Sequence, residues 1–137
     1  MKKFFAPSLL IFGLVISAFG IQQTQAASNH QDTPFSFLFM PGVVNQTDPR
    51  DKLNSTSAYM KATSISGPGV YEAWVALLNG TDISHNHHYN ISANREYFLI
   101  NYAAETYGTP VSVRIKARGV PNETYRASGV WSPDSVR

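Results

Sequence analysis

From Pro110 to Arg118 the chain reads Pro-Val-Ser-Val-Arg-Ile-Lys-Ala-Arg. Successive side chains of an extended chain point to opposite faces, so Val111, Val113, Ile115 and Ala117 fall on one side and Ser112, Arg114, Lys116 and Arg118 on the other. One side can be buried and the other left in water, which is the pattern of an antiparallel strand covered on one face. The same reading extends outward. Residues 124–131 close the domain after the turn Gly119-Val120-Pro121-Asn122. Upstream, residues 96–103 alternate Tyr97, Leu99 and Asn101 with Phe98, Ile100 and Tyr102, and residues 85–91 read as a polar strand.

Residues 70–78 carry apolar side chains on both faces, as expected of a strand covered on two sides, and Asn79-Gly80 follows with the positive φ preference of a tight hairpin. Residues 58–65 alternate again, ending at Ser66-Gly67-Pro68-Gly69. Order begins at Pro34, where Phe35, Phe37 and Phe39 share a face. Residues 42–57, rich in Asn, Asp, Thr, Ser and Pro, read as a long loop. The result is all-β: a two-sheet antiparallel β-sandwich of seven short strands over residues 34–132, with a small closed β-barrel as the alternative. No amphipathic helix is predicted within it. Residues 27–33 read as a flexible N-terminus and 133–137 as a polar C-terminal tail.

The N-terminus points to export. Met1-Lys2-Lys3 precedes an apolar run over residues 4–21 and then Gln22-Gln23-Thr24-Gln25-Ala26-Ala27, the layout of a signal peptide cleaved after Ala26. Cleavage leaves 111 of the 137 residues, one domain. Lys2 and Lys3 leave with the signal, so nine basic residues balance nine acidic ones. A near-zero charge argues against nucleic acid as partner and against adsorption to anionic lipid by charge alone. The chain has no cysteine, which excludes a thiol nucleophile, a zinc–thiolate site and disulfides, so apolar packing and sheet hydrogen bonds must hold the fold. The expected mature protein is extracellular, without stable membrane insertion.

The order of Asp32-Thr33-Pro34-Phe35-Ser36-Phe37, Thr56-Ser57-Ala58-Tyr59-Met60-Lys61, Glu96-Tyr97 with Asn101-Tyr102, and Tyr125-Arg126-Ala127-Ser128-Gly129-Val130-Trp131-Ser132-Pro133-Asp134 resembles a family of small secreted proteins of Gram-positive bacteria classed as a domain of unknown function. The layout is also loosely similar to that of cysteine-free bacteriocins of the lactococcin-972 type, although the Gly- and Trp-rich start and the Tyr/Ser-rich middle of that group are missing here. These resemblances imply a secreted factor, bacteriocin-like or signalling, acting at a bacterial envelope. They supply no catalytic residue.

Residue chemistry offers few sites. On a strand, His85 and His87 would share a face and, with Asp82, could ligate zinc or copper, while His88 would point away; the alternative is a set of exposed hairpin histidines. Arg114, Lys116 and Arg118 form a basic row, read either as a patch for teichoic acid, phospholipid or another anionic envelope polymer or as the solvated side of a strand. Tyr59, Tyr71, Trp74, Tyr97, Tyr102, Tyr107, Tyr125 and Trp131 could line a carbohydrate groove or fill the core. There is no Gly-x-Ser-x-Gly elbow, and Glu72, Glu96, Glu105 and Glu123 fall on separate segments. The reading is a non-enzymatic protein needing no cofactor, with an envelope component or another protein as partner. Envelope-polymer or carbohydrate binding, or metal binding by the histidines, are the alternatives.

Mass spectrometry of the culture medium is expected to place the N-terminus at Ala27. Protein confined to membranes and still beginning at Met1 would mean that the apolar run stays as an anchor.

Overall fold

The structure is a computed structural model that describes residues 27–136; residues 1–26, read above as a signal peptide, lie outside the described residues. In chain order the elements are β1 (Thr33–Phe39), β2 (Val44–Gln46), β3 (Arg50–Lys52), β4 (Ala58–Ile65), β5 (Val70–Leu77), β6 (Tyr89–Ser92), β7 (Glu96–Leu99), α1 (Ala103–Tyr107), β8 (Val111–Arg118) and β9 (Tyr125–Ser132). They form two antiparallel sheets, β1-β9-β4-β7 and β2-β8-β5-β6, with β3 also paired to β8. The architecture is a two-sheet sandwich and not a closed barrel.

Three features differ from the sequence reading. Residues 42–57 are not one loop, because β2 pairs with residues 116–118 of β8 and β3 with residues 111–113. Strands of three residues on a sheet edge are held by backbone bonds and need no apolar face, so periodicity does not reveal them. The strand expected over 85–91 shrinks to β6, because His85 and Asn86 have φ of +51° and +65°, a left-handed conformation that no strand accommodates. The strand expected over 96–103 ends at Leu99 and gives way to the five-residue α1.

The core forms where the two alternating faces meet. Val113, Ile115 and Ala117 are fully buried, as are Val75 and Ala73 on the neighbouring β5. Opposite them, Phe35, Phe37 and Phe39 form a continuous aromatic run with centroid separations of 4.7 and 5.7 Å. Phe39 then reaches Tyr71 of the other sheet at 5.2 Å and Tyr125 at 4.8 Å, so rings join the sheets in a chain that lacks disulfides. Gly129 lies between β1 and β4 where a bulge at residues 62–64 brings strands together. A Cβ there would sit 2.1 Å from the Lys61 carbonyl oxygen, so only glycine fits.

Two residues from the segments read as loop and tail are also buried. Lys52 and Asp134 are both fully buried, with Nζ 2.9 Å from Oδ1. Nζ also donates to the carbonyl of Pro133 at 2.9 Å and to that of Thr56. The other carboxylate oxygen accepts the backbone N–H of Asn29 at 2.8 Å and of Leu53 at 2.9 Å. One carboxylate thus ties the N-terminal segment, the strand after β2 and the C-terminal segment together. Burial pushes the Lys52 pKa down against the raising effect of Asp134. No buried side-chain nitrogen or oxygen among the described residues lacks a partner.

Replacing Lys52 by Met leaves the Asp134 charge buried and uncompensated. The expected loss in urea unfolding is about 3–5 kcal/mol. A change below about 1 kcal/mol would mean that water reaches the pair.

Candidate functional site

The outward face of β8 presents Arg114, Lys116 and Arg118 in a row, as the alternation requires. Register places Ala76, Trp74 and Glu72 of β5 directly beside them. Arg114 is partly committed to the fold, its Nε donating to the Thr47 carbonyl at 3.2 Å and a guanidinium N–H to that of Leu78 at 3.1 Å. The Lys116 amine lies over the turn at Gly80, where an added Cβ would come within 2.8 Å of it. Arg118 is exposed, with its guanidinium carbon 5.5 Å from the centre of the Trp74 ring.

Trp74 is buried even though it points away from the core, because the chain after β5 folds back over it. Asn79-Gly80 makes the expected tight turn, with the Gly80 N–H donating to the Leu77 carbonyl at 2.9 Å and Gly80 at φ +90°. The return is not a full strand. It makes one bridge, between Ala76 and Asp82, and then coils through residues 84–88. This coil lays the His88 ring flat on Trp74, 4.3 Å between centroids and 5° between planes. His88 is gripped on both sides, Nδ1 at 2.8 Å from Glu72 and Nε2 at 2.6 Å from Asp82.

A neutral imidazole has only one N–H, so it can satisfy only one of these carboxylates; the imidazolium satisfies both. Burial alone would lower the His88 pKa, but hydrogen bonds and charge from Asp82 and Glu72 outweigh it and raise the value above 6.5. Burial alone would likewise raise Asp82, yet hydrogen bonds from Ser84 and His88 hold it below 3.8. Ser84 bonds Asp82 through both its backbone N–H at 2.8 Å and its hydroxyl at 2.5 Å.

The expected metal set of His85, His87 and Asp82 is therefore not assembled. Because the segment is a coil, His85 stacks on Tyr102 at 3.9 Å, His87 donates to the Ser84 carbonyl at 2.7 Å, and Asp82 bonds Ser84 and His88. Among the described residues no three His, Asp or Glu side chains are placed to hold a metal ion. His88, which on a strand would have pointed away, is the histidine that meets the carboxylates. Of the aromatics considered for a groove, Tyr59, Tyr71, Trp74, Tyr125 and Trp131 are buried and serve packing. What the face can do chemically is present fixed positive charge, with Arg118 the most accessible part.

The pH dependence follows from these shifts. His88 has a raised folded-state pKa, so its contribution to stability is complete below about pH 6.5 and fades as pH rises through the raised value. Asp82 has a depressed one, so its contribution is complete above about pH 3.8 and fades as pH falls. Thermal melts should show a midpoint that drops as pH rises above about 6.5, a drop that His88→Asn removes. Parallel profiles for the two proteins would contradict the clamp.

No curated protein and no solved structure matches the chain. Residues 23–135 match the family described as a protein of unknown function, DUF2712, from ahead of β1 to beyond β9. The chain is accordingly a member of the DUF2712 family.

Proposed function

We propose that this is an exported, non-enzymatic protein that acts at a bacterial envelope by binding an anionic envelope component through the outward face of the β2-β8-β5 sheet. The observation that carries the reading is the basic row. Arg114, Lys116 and Arg118 are held at alternate positions of a central strand whose register is set by the core, so three cations share one fixed face. The signal-peptide layout read in residues 1–26 and the resemblance to secreted Gram-positive proteins support this location. Growth inhibition or signalling, as the bacteriocin-like layout implies, would be the consequence of that binding.

The row is not a uniform positive field. Glu72 lies beside Arg118, and Arg114 spends two donors on backbone carbonyls, which leaves Lys116 and Arg118 as the main contributors. Binding should therefore be modest and sensitive to salt. The test is binding to a soluble poly(glycerol phosphate) polymer, followed by calorimetry at two ionic strengths. Lys116→Gln with Arg118→Gln is expected to weaken binding roughly thirtyfold, at about 1 kcal/mol for each contact, with unchanged melting. Loss of affinity equally large on substituting Lys61 and Arg126, which lie on the other sheet, would show that only net charge matters. Hydrolysis of ester, peptide or glycoside substrates, abolished by one substitution, would overturn the non-enzymatic reading.

A further inference from the structure

We propose that the end of the sandwich formed by residues 40–44 and 119–121 docks onto an anionic lipid bilayer, with Arg118 at the headgroups and the turn at 40–44 entering the interface. The proposal rests on the envelope reading above and names its partner. Of the eight large hydrophobic residues most exposed among the described residues, Met40, Val43 and Val44 fall within one five-residue stretch, while Phe98 and Ile100 form a pair at the end of β7, Leu78 and Tyr107 line one cleft, and Val136 lies near the C-terminus. Met40 is 44% exposed, Val43 39% and Val44 41%. The turn holds them there: the Val43 N–H donates to the Met40 carbonyl at 3.1 Å, and Gly42 takes φ +74°.

The turn is flanked by cation and by further apolar surface. Val44 pairs in register with Arg118, so the guanidinium rises from the same sheet face as the valine. Val120 and Pro121 of the β8–β9 connection, with Arg118 between, line the cleft of ≈ 260 Å³ that the turn closes on its other side. Arg118 also borders a second cleft of ≈ 290 Å³ toward Glu72 and Asn90. Lys116 and Arg114 continue away from the tip in steps of roughly 7 Å.

An interface needs both parts. The near-zero total charge makes electrostatic adsorption alone weak, and three side chains are too little apolar surface to hold a protein on a neutral membrane. A soluble polyanion offers Arg118 a partner and the apolar turn nothing. A second copy meeting this tip about a two-fold axis would bring both Arg118 side chains into one interface. An anionic bilayer satisfies both the cation and the turn, and shallow, reversible docking requires no spanning segment.

The test uses the protein in the form the cell produces, its N-terminus read by mass, with flotation on vesicles of phosphatidylglycerol and phosphatidylcholine or of phosphatidylcholine alone. The expected result is binding to the anionic vesicles only, weakened roughly tenfold or more by Met40→Ser with Val43→Ser and separately by Arg118→Gln. The double variant replaces exposed side chains and should keep the wild-type melting temperature and full affinity for soluble poly(glycerol phosphate). No vesicle binding, equal binding to both vesicle types, or binding unaltered by the tip pair would overturn the proposal. If the soluble polymer still bound in a Lys116- and Arg118-dependent way, the basic-row reading would survive that failure. A concentration-dependent dimer in sedimentation, lost in the tip variant, would overturn it in favour of self-association.

Discussion

The two-faced strand β8 is the constraint on which the rest of the molecule depends. It pairs with β2, β3 and β5, and its inward residues fill the middle of the core. A slip of one residue would carry Arg114 and Lys116 into the sandwich and Val113 and Ile115 into water, burying unpaired charge at a cost of several kcal/mol. The register is thus fixed by chemistry and not by any loop. The basic row inherits that precision, because side chains that alternate with a packed core cannot drift relative to one another. What a surface loop would offer as a mobile cluster of cations is here held in line.

The ends of the chain are held by different means. Asp134 receives Lys52 and two backbone N–H groups in a fully buried setting, and so gathers residues that lie far apart in sequence. Such a pair adds little net stability over an apolar equivalent, since desolvation offsets much of the attraction. Its geometry is more demanding than apolar contact, however. Partners missing by an ångström would leave a bare charge inside the protein, so the pair selects the one closure in which both sheets and both terminal segments meet correctly.

The strands whose pattern lasts seven or eight residues were legible in the sequence: β1, β4, β5, β8 and β9 all lie where alternation or composition predicts them. The rest was hidden for identifiable reasons. β2 and β3 span three residues each, too short for a period to register, and they sit in a polar stretch because edge strands tolerate water. Lys52 and Asp134 occupy segments that composition marks as solvated, and nothing local announces a partner 82 positions away. Of the candidate sites, the basic row was legible because it depends only on alternation. The histidine set was misread because His85 and Asn86 adopt left-handed backbone conformations, which turn the chain and exchange His85 and His87 for His88 as the neighbour of Asp82. The exposed turn at 40–44 carried a sequence signal, an apolar pair on either side of Pro41-Gly42, that periodicity does not interpret.

Together these features describe a member of a family of unknown function in which a rigid core sets the position of a charged outer face. On that face, a clamped histidine covers Trp74 and leaves Arg118 exposed at the edge of an apolar tip. The claim that this face does the work is tested most directly by mapping amide chemical shifts during titration with poly(glycerol phosphate). The account predicts perturbations confined to β2, β8 and β5, strongest near Lys116 and Arg118. Perturbations centred on the outward face of the β1-β9-β4-β7 sheet, or none at saturating polymer, would contradict it.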